Sequence, residues 1–459
     1  MGMQAKQERI ANARGTVIAK TSARDRLGML FDPDTFVELD TFVGVQKGGA
    51  GVICGFGAVM GGPVYAFIQD GGPVGLAQAT KLRKLYDMAL KTGAPIIGIY
   101  DSDGLKLEES VCALAAYGEM LRMCSNLSGV VPQISLVLGS CVGASAMMAC
   151  ATDFLIMSES AEFYATPPNA GTPSGSGTAG AAGKSGVAHI IAKDDAEAVA
   201  AVRKLISYLP INNLASLPIS VFTEPPVLAQ ADETTPAEEV LTGLIDLESE
   251  IELLPQFGNG VCGAMATIGG YPCGVIATRG EALSADDCAK IARLVSVWDS
   301  YHIPVITLVN TPGMKTGEGV CAGGARDMAK VAHVYAEATT PKVTVITGMA
   351  YGSAYIALAN RHSCADYALA WPSAVISPLS PELAVAFLKA DEISKETSRE
   401  QLETDYINVE ASPLNAAANG HVDDIVEPSI TRPAIIASLD LLSAKRVYKN
   451  PKKHGNIPF

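Results

Sequence analysis

"ITGMAYGSAYIALA", residues 346–359, decides how this chain is read. It is small, broken by glycine and free of charge. "LGSCVGASAMMACA", residues 138–151, is a second stretch of the same kind. Gly139 and Gly143 recur 209 residues later as Gly348 and Gly352. The same spacing joins Pro63 to Pro272, Lys81 to Lys290, Pro95 to Pro304, Gly104 to Gly313 and Pro132 to Pro341. Chance can give one such pair of glycine blocks. It does not give a gapless register of prolines, glycines and apolar runs, so the chain carries an internal duplication.

Each copy has the same order of parts. A short strand ends at "GGPVYAFIQ" or "GGYPCGVIA". Apolar residues at helical spacing then predict a helix over "ATKLRKLYDMALKTG" or "SADDCAKIARLVSVWDSY". An apolar strand, a second helix and another strand lead into the glycine turn, which opens a further helix. Strands alternating with helices predict an α/β fold built on parallel strands. Two domains are expected, 1–232 and 233–459, joined by the Pro- and acid-rich segment 222–240.

The bulk properties agree. The chain has 459 residues, 48% of them hydrophobic, enough for two large cores. Only 18% are charged, which points to tight packing of small residues and buried subunit interfaces. A net charge of −14 argues against nucleic acid or an anionic membrane as partner. Ten cysteines are scattered, with no CxxC pair and no His/Cys cluster, so they read as reduced core thiols, and no metal is expected. The segment starting "MGMQAKQERIANARGTV" lacks the apolar core of a signal peptide. The most membrane-like run, 134–151, is diluted by Gly, Ser and Cys, and reads as a buried strand–turn–helix. A cytoplasmic protein is expected.

A glycine turn between strand and helix exposes backbone N–H groups at the positive end of the helix dipole. Small residues let a ligand approach closely. Such amides can form an oxyanion hole for a thioester enolate without any charged side chain. The neighbouring loops, around Gly104 and Gly313, are placed to supply a second amide. The plainer alternative is that these glycines only allow helix and sheet to pack. Duplication at constant register favours function.

The blocks "TSARDRLGMLFDPDTFVELDTFV", "SGVVPQISLVLGSCVGASA", "SGVAHIIAKDDAEAVAAVRKLISYLPINN", "HIPVITLVNTPGM", "AEATTPKVTVITGMAYGSAY", "ANGHVDDIVEPSITR" and "KKHGNIPF" are spread over nearly the whole chain. In them it resembles the carboxyltransferase subunits of biotin-dependent acyl-CoA carboxylases and decarboxylases. That family includes propionyl-CoA carboxylase beta chains and the alpha subunits of methylmalonyl-CoA and glutaconyl-CoA decarboxylases. The resemblance implies a tandem pair of crotonase-like domains, the first on the acyl-CoA side and the second on the biotin side. It implies a homo-hexamer whose sites lie between the first domain of one subunit and the second domain of another. One turn would hold the thioester enolate, the other the ureido oxygen of carboxybiotin. Carried over, the first hole falls on Gly143 and Ala144, and the second on Gly352, Ser353 and Ala354. Gly104, Lys106, Gly313, Tyr355 and Ile356 fall on the substrate side, and Ile356 implies an apolar acyl group. The expected partners are acyl-CoA, a biotin carboxyl carrier protein, and a biotin carboxylase or membrane decarboxylase subunit. Three places depart from the family pattern. "SDGLK" (102–106) stands for SGGAR, "SPLSPELA" (377–384) stands for VMGPEGA, and 165–186 is shortened.

Some signals are discounted. "GSGTAG" (175–180) and "GKS" (183–185) suggest phosphate loops but follow loop chemistry, not a strand. "MK" (314–315) lacks the context of a biotinyl lysine, so biotin is expected on another chain. "KLRK" (81–84) reads first as a solvated helix face and second as a contact for CoA phosphates. His189 reads as a core histidine. A crotonase-type hydratase or isomerase is the alternative enzyme, and it needs a carboxylate such as Glu108, Glu109 or Glu162. A weakly active scaffold paralogue is the other alternative.

Overall fold

The computed structural model describes residues 3–17, 22–45, 50–168, 172, 173, 175–317, 320–394 and 397–458. Residues 169–171 and 174 of the shortened stretch lie outside them. The chain divides into two compact units, Met1–Ser216 and Leu217–Phe459. The segment 222–240, expected as a linker, falls with the second unit and runs into the helix Ala237–Leu244.

The first unit holds β1 (Val37–Leu39), β2 (Val52–Val59), β3 (Gly62–Gln69), β4 (Ile96–Ser102), β5 (Gln133–Val142), β6 (Phe154–Ser158), β7 (Glu162–Tyr164) and β8 (Ile190–Ala192). They form one sheet in the order β1-β2-β3-β4-β5-β6-β8, with β7 on the end of β5. The second unit holds β9 (Ile251–Glu252), β10 (Val261–Ile268), β11 (Tyr271–Thr278), β12 (Val305–Thr311), β13 (Lys342–Tyr351), β14 (Tyr367–Ala370), β15 (Val375–Ser377) and β16 (Asp424–Ile425). Its order is β9-β10-β11-β12-β13-β14-β16, with β15 on the end of β13, the same topology.

The register repeats residue by residue. Tyr65 pairs with Ile96, and Gly274 pairs with Val305, each 209 further on. Ser102 pairs with Cys141, and Thr311 pairs with Ala350, again 209 further on. Beyond the glycine turns the offset is 213, since Ile134–Phe154 recurs with Tyr367 opposite Val343. Four residues are therefore added after the second turn. They fall in a stretch that contains a π-helical turn, Tyr355–Ala359, where the first unit has the α-helix Ala144–Cys150.

Parallel strands were expected, but the sheets are mixed. β2 with β3, and β10 with β11, are antiparallel hairpins. Each closes through two residues at positive φ: Met60 (51°) and Gly61 (78°), or Gly269 (61°) and Gly270 (81°). That geometry suits a two-residue turn between twisted strands. A carboxylate clamps each turn. Asp32 accepts from the amides of Met60 (3.2 Å) and Gly61 (2.8 Å), and it pairs with Arg203. Asp246 accepts from Gly269 (2.9 Å) and Gly270 (2.8 Å), and it pairs with Arg432.

Each sheet packs under its helices. In the first unit, Leu82, Leu85 and Tyr86 of the helix Leu76–Thr92 meet Phe67 and Tyr100 of the sheet. In the second, Trp371, Ile306 and Val343 lie in the corresponding core. Run 134–151 resolves as the expected strand, turn and helix. Among the described residues no helix is long and apolar enough to cross a membrane.

Candidate active site

The paired glycines of each block do different work. A Cβ on Gly139 would lie 2.1 Å from Asp101 Oδ1, and one on Gly348 would lie 2.5 Å from Asn310 Oδ1. These two are packing glycines. Gly143 has φ 62° and ψ −117°, and a Cβ there meets no atom within 4 Å. Gly352 has φ 49°. These two turn the chain sharply where side-chain-bearing residues are disfavoured, and Gly143 leaves open space in front. The packing and functional readings both hold, at different residues.

The amides narrow the first hole. Gly143 N–H donates to the Tyr164 carbonyl (2.8 Å), because β7 pairs alongside the end of β5. It is therefore not available to a ligand. Ala144 begins the helix Ala144–Cys150, so its amide is the first orphan donor of that helix. By the 209 offset its counterpart is Ser353, which is exposed, while Ala354 beside it is fully buried.

The loop glycines are placed as expected but their amides are engaged. A Cβ on Gly104 would lie 3.4 Å from Val142 O, so this loop lies against the first turn. A Cβ on Gly313 would lie 3.7 Å from Tyr351 O. Gly104 N–H donates to Ser102 Oγ (3.1 Å), and Gly313 N–H donates to Thr311 Oγ1 (3.3 Å). The next residue in each loop was missed by the sequence reading. Val74 N–H donates to Gly104 O (2.9 Å), and Lys106 N–H donates to Val74 O (2.9 Å). Donors alternate along extended chain, so the Leu105 amide faces away from Val74. Met314 stands identically between Gly313 and Lys315, against Leu283. Among the described residues neither amide has an acceptor. Each turn thus carries an amide of the first helical turn, Ala144 or Ser353 (the second residue of the helix Gly352–Ala354), and a loop amide, Leu105 or Met314.

The surroundings differ. Beside the second turn, an apolar cleft of about 420 Å³ is lined by Met314, Lys315, Met328, Ser353, Ile356 and Ala357, among others. Ile356 is 57% exposed, and Tyr355 is half-buried, with its phenol pushed up by burial. Around the first turn the exposed residues Leu107, Val111, Leu114 and Met147 are apolar.

Other candidates are committed elsewhere. Glu109 Oε2 accepts from Leu76 N–H (2.6 Å) and caps that helix from outside. Lys106 Nζ stands 3.8 Å from Glu109. Lys81 is buried, not solvated, and donates to Val52 O (3.0 Å). Its repeat partner Lys290 donates to Val261 O (2.7 Å), and burial lowers it to about 8. Arg83 pairs with Glu119, and Lys84 pairs with Asp40. His189 is buried, accepts from Leu155 N–H (3.1 Å) and stacks edge-on against Phe154. It is the core histidine expected. In the "GSGTAG" stretch, Phe163 N–H donates to Gly177 O, and Thr178 caps the short helix Ala179–Lys184, with no strand leading in among the described residues.

A family model described as "Carboxyl transferase domain" matches residues 17–457. Methylmalonyl-CoA decarboxylase subunit alpha of Veillonella parvula is 34% identical, over 96% of this chain and 93% of its own. The propionyl-CoA carboxylase beta chain of Saccharopolyspora erythraea is 36% identical, over 96% of this chain and 91% of its own. Among solved structures, transcarboxylase 12S, a hexamer with hydrolysed methylmalonyl-CoA bound, is similar with a TM-score of 0.93 and 32% identity. The match covers 100% of this chain and 99% of that one.

Proposed function

The chain belongs to the carboxyl transferase family, and on that premise we propose how its two glycine turns work. It transfers a carboxyl group between biotin and a short acyl-CoA on a duplicated crotonase-like fold. The single observation behind this reading is the repeated pair of amides, Ala144 with Leu105 and Ser353 with Met314.

The first pair holds the thioester oxygen as it takes on enolate charge. Two amides aimed at that charge, away from water, need no reorganisation during the reaction. Gly143 opens the approach. The second pair faces the apolar cleft, which suits an uncharged bicyclic ureido ring. Biotin, brought by a carrier protein, supplies the nitrogen that gives up or takes the carboxyl group. Overall one C–C bond is exchanged for one N–C bond, and the nitrogen's proton passes to the acyl α-carbon. No oxidant or reductant is needed, and the same amides serve both directions. Ile356 at the cleft mouth favours an apolar acyl chain.

The exposed apolar residues around the first turn, and Leu383, Phe387 and Leu388 in the second unit, favour burial between copies. With the hexamer of transcarboxylase 12S, this supports a hexamer in which one copy's first turn faces another's second turn. A cytoplasmic setting fits the nine described cysteines, all unbridged. The hydratase reading loses one of its three candidate carboxylates, Glu109, which caps a helix.

The test incubates malonyl-, methylmalonyl- and glutaconyl-CoA with the purified chain and free biotin. Biotin-dependent loss of the carboxyl group from at least one thioester is expected. No transfer from any of them, in an intact oligomer, would overturn the reading.

A further inference from the structure

The helix that opens at the first turn is tied down by buried hydroxyls. Ser145 follows Ala144 in the helix Ala144–Cys150 and is 0% exposed. Its Oγ lies 2.7 Å from the Tyr117 phenol oxygen, and Gln69 Nε2 approaches it at 3.5 Å. Tyr117 and Gln69 are buried as well. Burial, above all, pushes the Tyr117 phenol up to about 12, so it keeps its proton at neutral pH. The three residues belong to the elements that set the two amides. Gln69 ends β3, just before the stretch in which Val74 anchors the loop of Leu105. Tyr117 lies in the helix Ser110–Leu127, which follows that loop. Ser145 stands directly after the Ala144 amide.

The second unit lacks this cluster. At the 209 offset Thr278 stands for Gln69 and Ala354 for Ser145. Thr278 Oγ1 accepts from Asn310 N–H (2.6 Å) instead. In the helix Cys321–Glu337 the buried Met120 and Cys124 recur 211 residues on as the buried Val331 and Tyr335, so the place of Tyr117 falls to Met328. A methyl group and a thioether thus replace the pair of hydroxyls.

Two donors stabilise a developing oxyanion only while both stay aimed at one point, and a misplacement of about 1 Å can cost about 100-fold in rate. Apolar packing is non-directional, whereas a hydrogen bond weakens steeply as its angle changes. We propose that the Tyr117–Ser145 pair, backed by Gln69, positions the first oxyanion hole by holding the Ala144 amide in register with the Leu105 amide. These are positioning residues that touch no substrate. The inference rests on the function proposed above and concerns its acyl-CoA half.

The test compares wild type with Tyr117→Phe, Ser145→Ala and the double variant as intact oligomers, well below their unfolding temperatures. Steady-state transfer from methylmalonyl-CoA to free biotin gives kcat and both KM values, and calorimetry gives propionyl-CoA affinity. Each single variant is expected to lower kcat about tenfold or more, with both KM values and propionyl-CoA affinity within about twofold. The double variant should fall no more than about threefold below the weaker single one, because the two hydroxyls act as a unit. Tyr117→Phe deletes one oxygen and keeps the ring, so it decides the matter if Ser145→Ala fails to assemble. A kcat within about twofold of wild type in Tyr117→Phe would overturn the inference, even with a lowered unfolding temperature. So would a loss of propionyl-CoA affinity as large as the loss in kcat, or losses that multiply fully in the double variant. A wild-type chain that transfers nothing would sink the proposed function itself, and this inference with it.

Discussion

The first glycine turn runs into a regular helix of seven residues; the second runs three residues and then opens into a π-helical turn. Up to the turns the two halves keep one register, and just after them it slips by four. The core anchors survive the slip. Asp153 accepts from Gln133 N–H (2.9 Å), and Asp366 accepts from Lys342 N–H (2.8 Å). The added residues therefore change what stands in front of the sheet, not the sheet. They help frame a cleft that has Ile356 at its mouth. Single π-turns inside helices often mark functional places, and here one separates two otherwise matching sites. The scaffold repeats the amides, and the chain around them sets the ligand.

The comparison breaks most directly at Gly143. A valine there meets open space but must adopt a left-handed φ of 62° with a branched side chain. Gly143→Val should cut transfer at least about 100-fold, the scale of losing one oxyanion donor, as measured by the biotin assay. Ala354→Val should behave differently from a change at the ligand. Its side chain is fully buried, so the variant overpacks a core, at a cost of about 1–3 kcal/mol. Thermal unfolding should register that loss while biotin KM stays unchanged. A biotin KM that rises with stability intact would return Ala354 to the site.

The two hairpin clamps offer a smaller contrast. The Asp246 side chain is 1% exposed in its pair with Arg432, whereas Asp32 is 23% exposed in its pair with Arg203. Breaking a buried pair leaves a charge stranded. Asp246→Asn should cost about 3 kcal/mol or more, and Asp32→Asn about 1 kcal/mol or less, in denaturant titrations. Acid sharpens this. The Gly61 amide, then Arg203, hold the Asp32 carboxyl below its ordinary 3.8. Its contribution is present above that value and fades as pH falls through the lowered one. The stability gap between wild type and Asp32→Asn should thus be level from pH 7 to 5 and close in stronger acid. A gap that widens in acid would contradict the clamp.

Glu109→Gln should have the smallest effect. The amide oxygen still accepts from Leu76, so stability should fall by less than about 1 kcal/mol, and transfer should hold within roughly threefold. Abolished turnover with the fold intact would favour a hydratase-type role for this carboxylate.

Much of this was legible in the sequence. The duplication, the order of strands and helices and the position of both turns follow from glycine and proline spacing, because those residues fix backbone geometry themselves. The hairpins were not legible. Met60–Gly61 reads as a weak turn until Asp32, far off in sequence, is seen to clamp it. Nor could spacing show that Gly143 gives its amide to Tyr164, since β7 reaches β5 only through tertiary pairing. Leu105 and Met314 left no side-chain signal, because their contribution is the direction of a backbone N–H. Lys81 looked solvated because helical periodicity does not reveal that it reaches back under β2 to Val52.

The central claim is that one amide of the first helical turn in each half, Ala144 or Ser353, carries the chemistry. Proline tests it at the backbone, since it removes the N–H yet is tolerated in the first turn of a helix, with Ser353→Ala as the control for the lost hydroxyl. Ala144→Pro and Ser353→Pro, each made alone, would be assayed for carboxyl transfer from methylmalonyl-CoA to biotin, with oligomer size and propionyl-CoA affinity measured alongside. Each should lose transfer on the order of 100-fold to 1000-fold, with assembly and CoA binding retained. Either variant within tenfold of wild type would contradict the account.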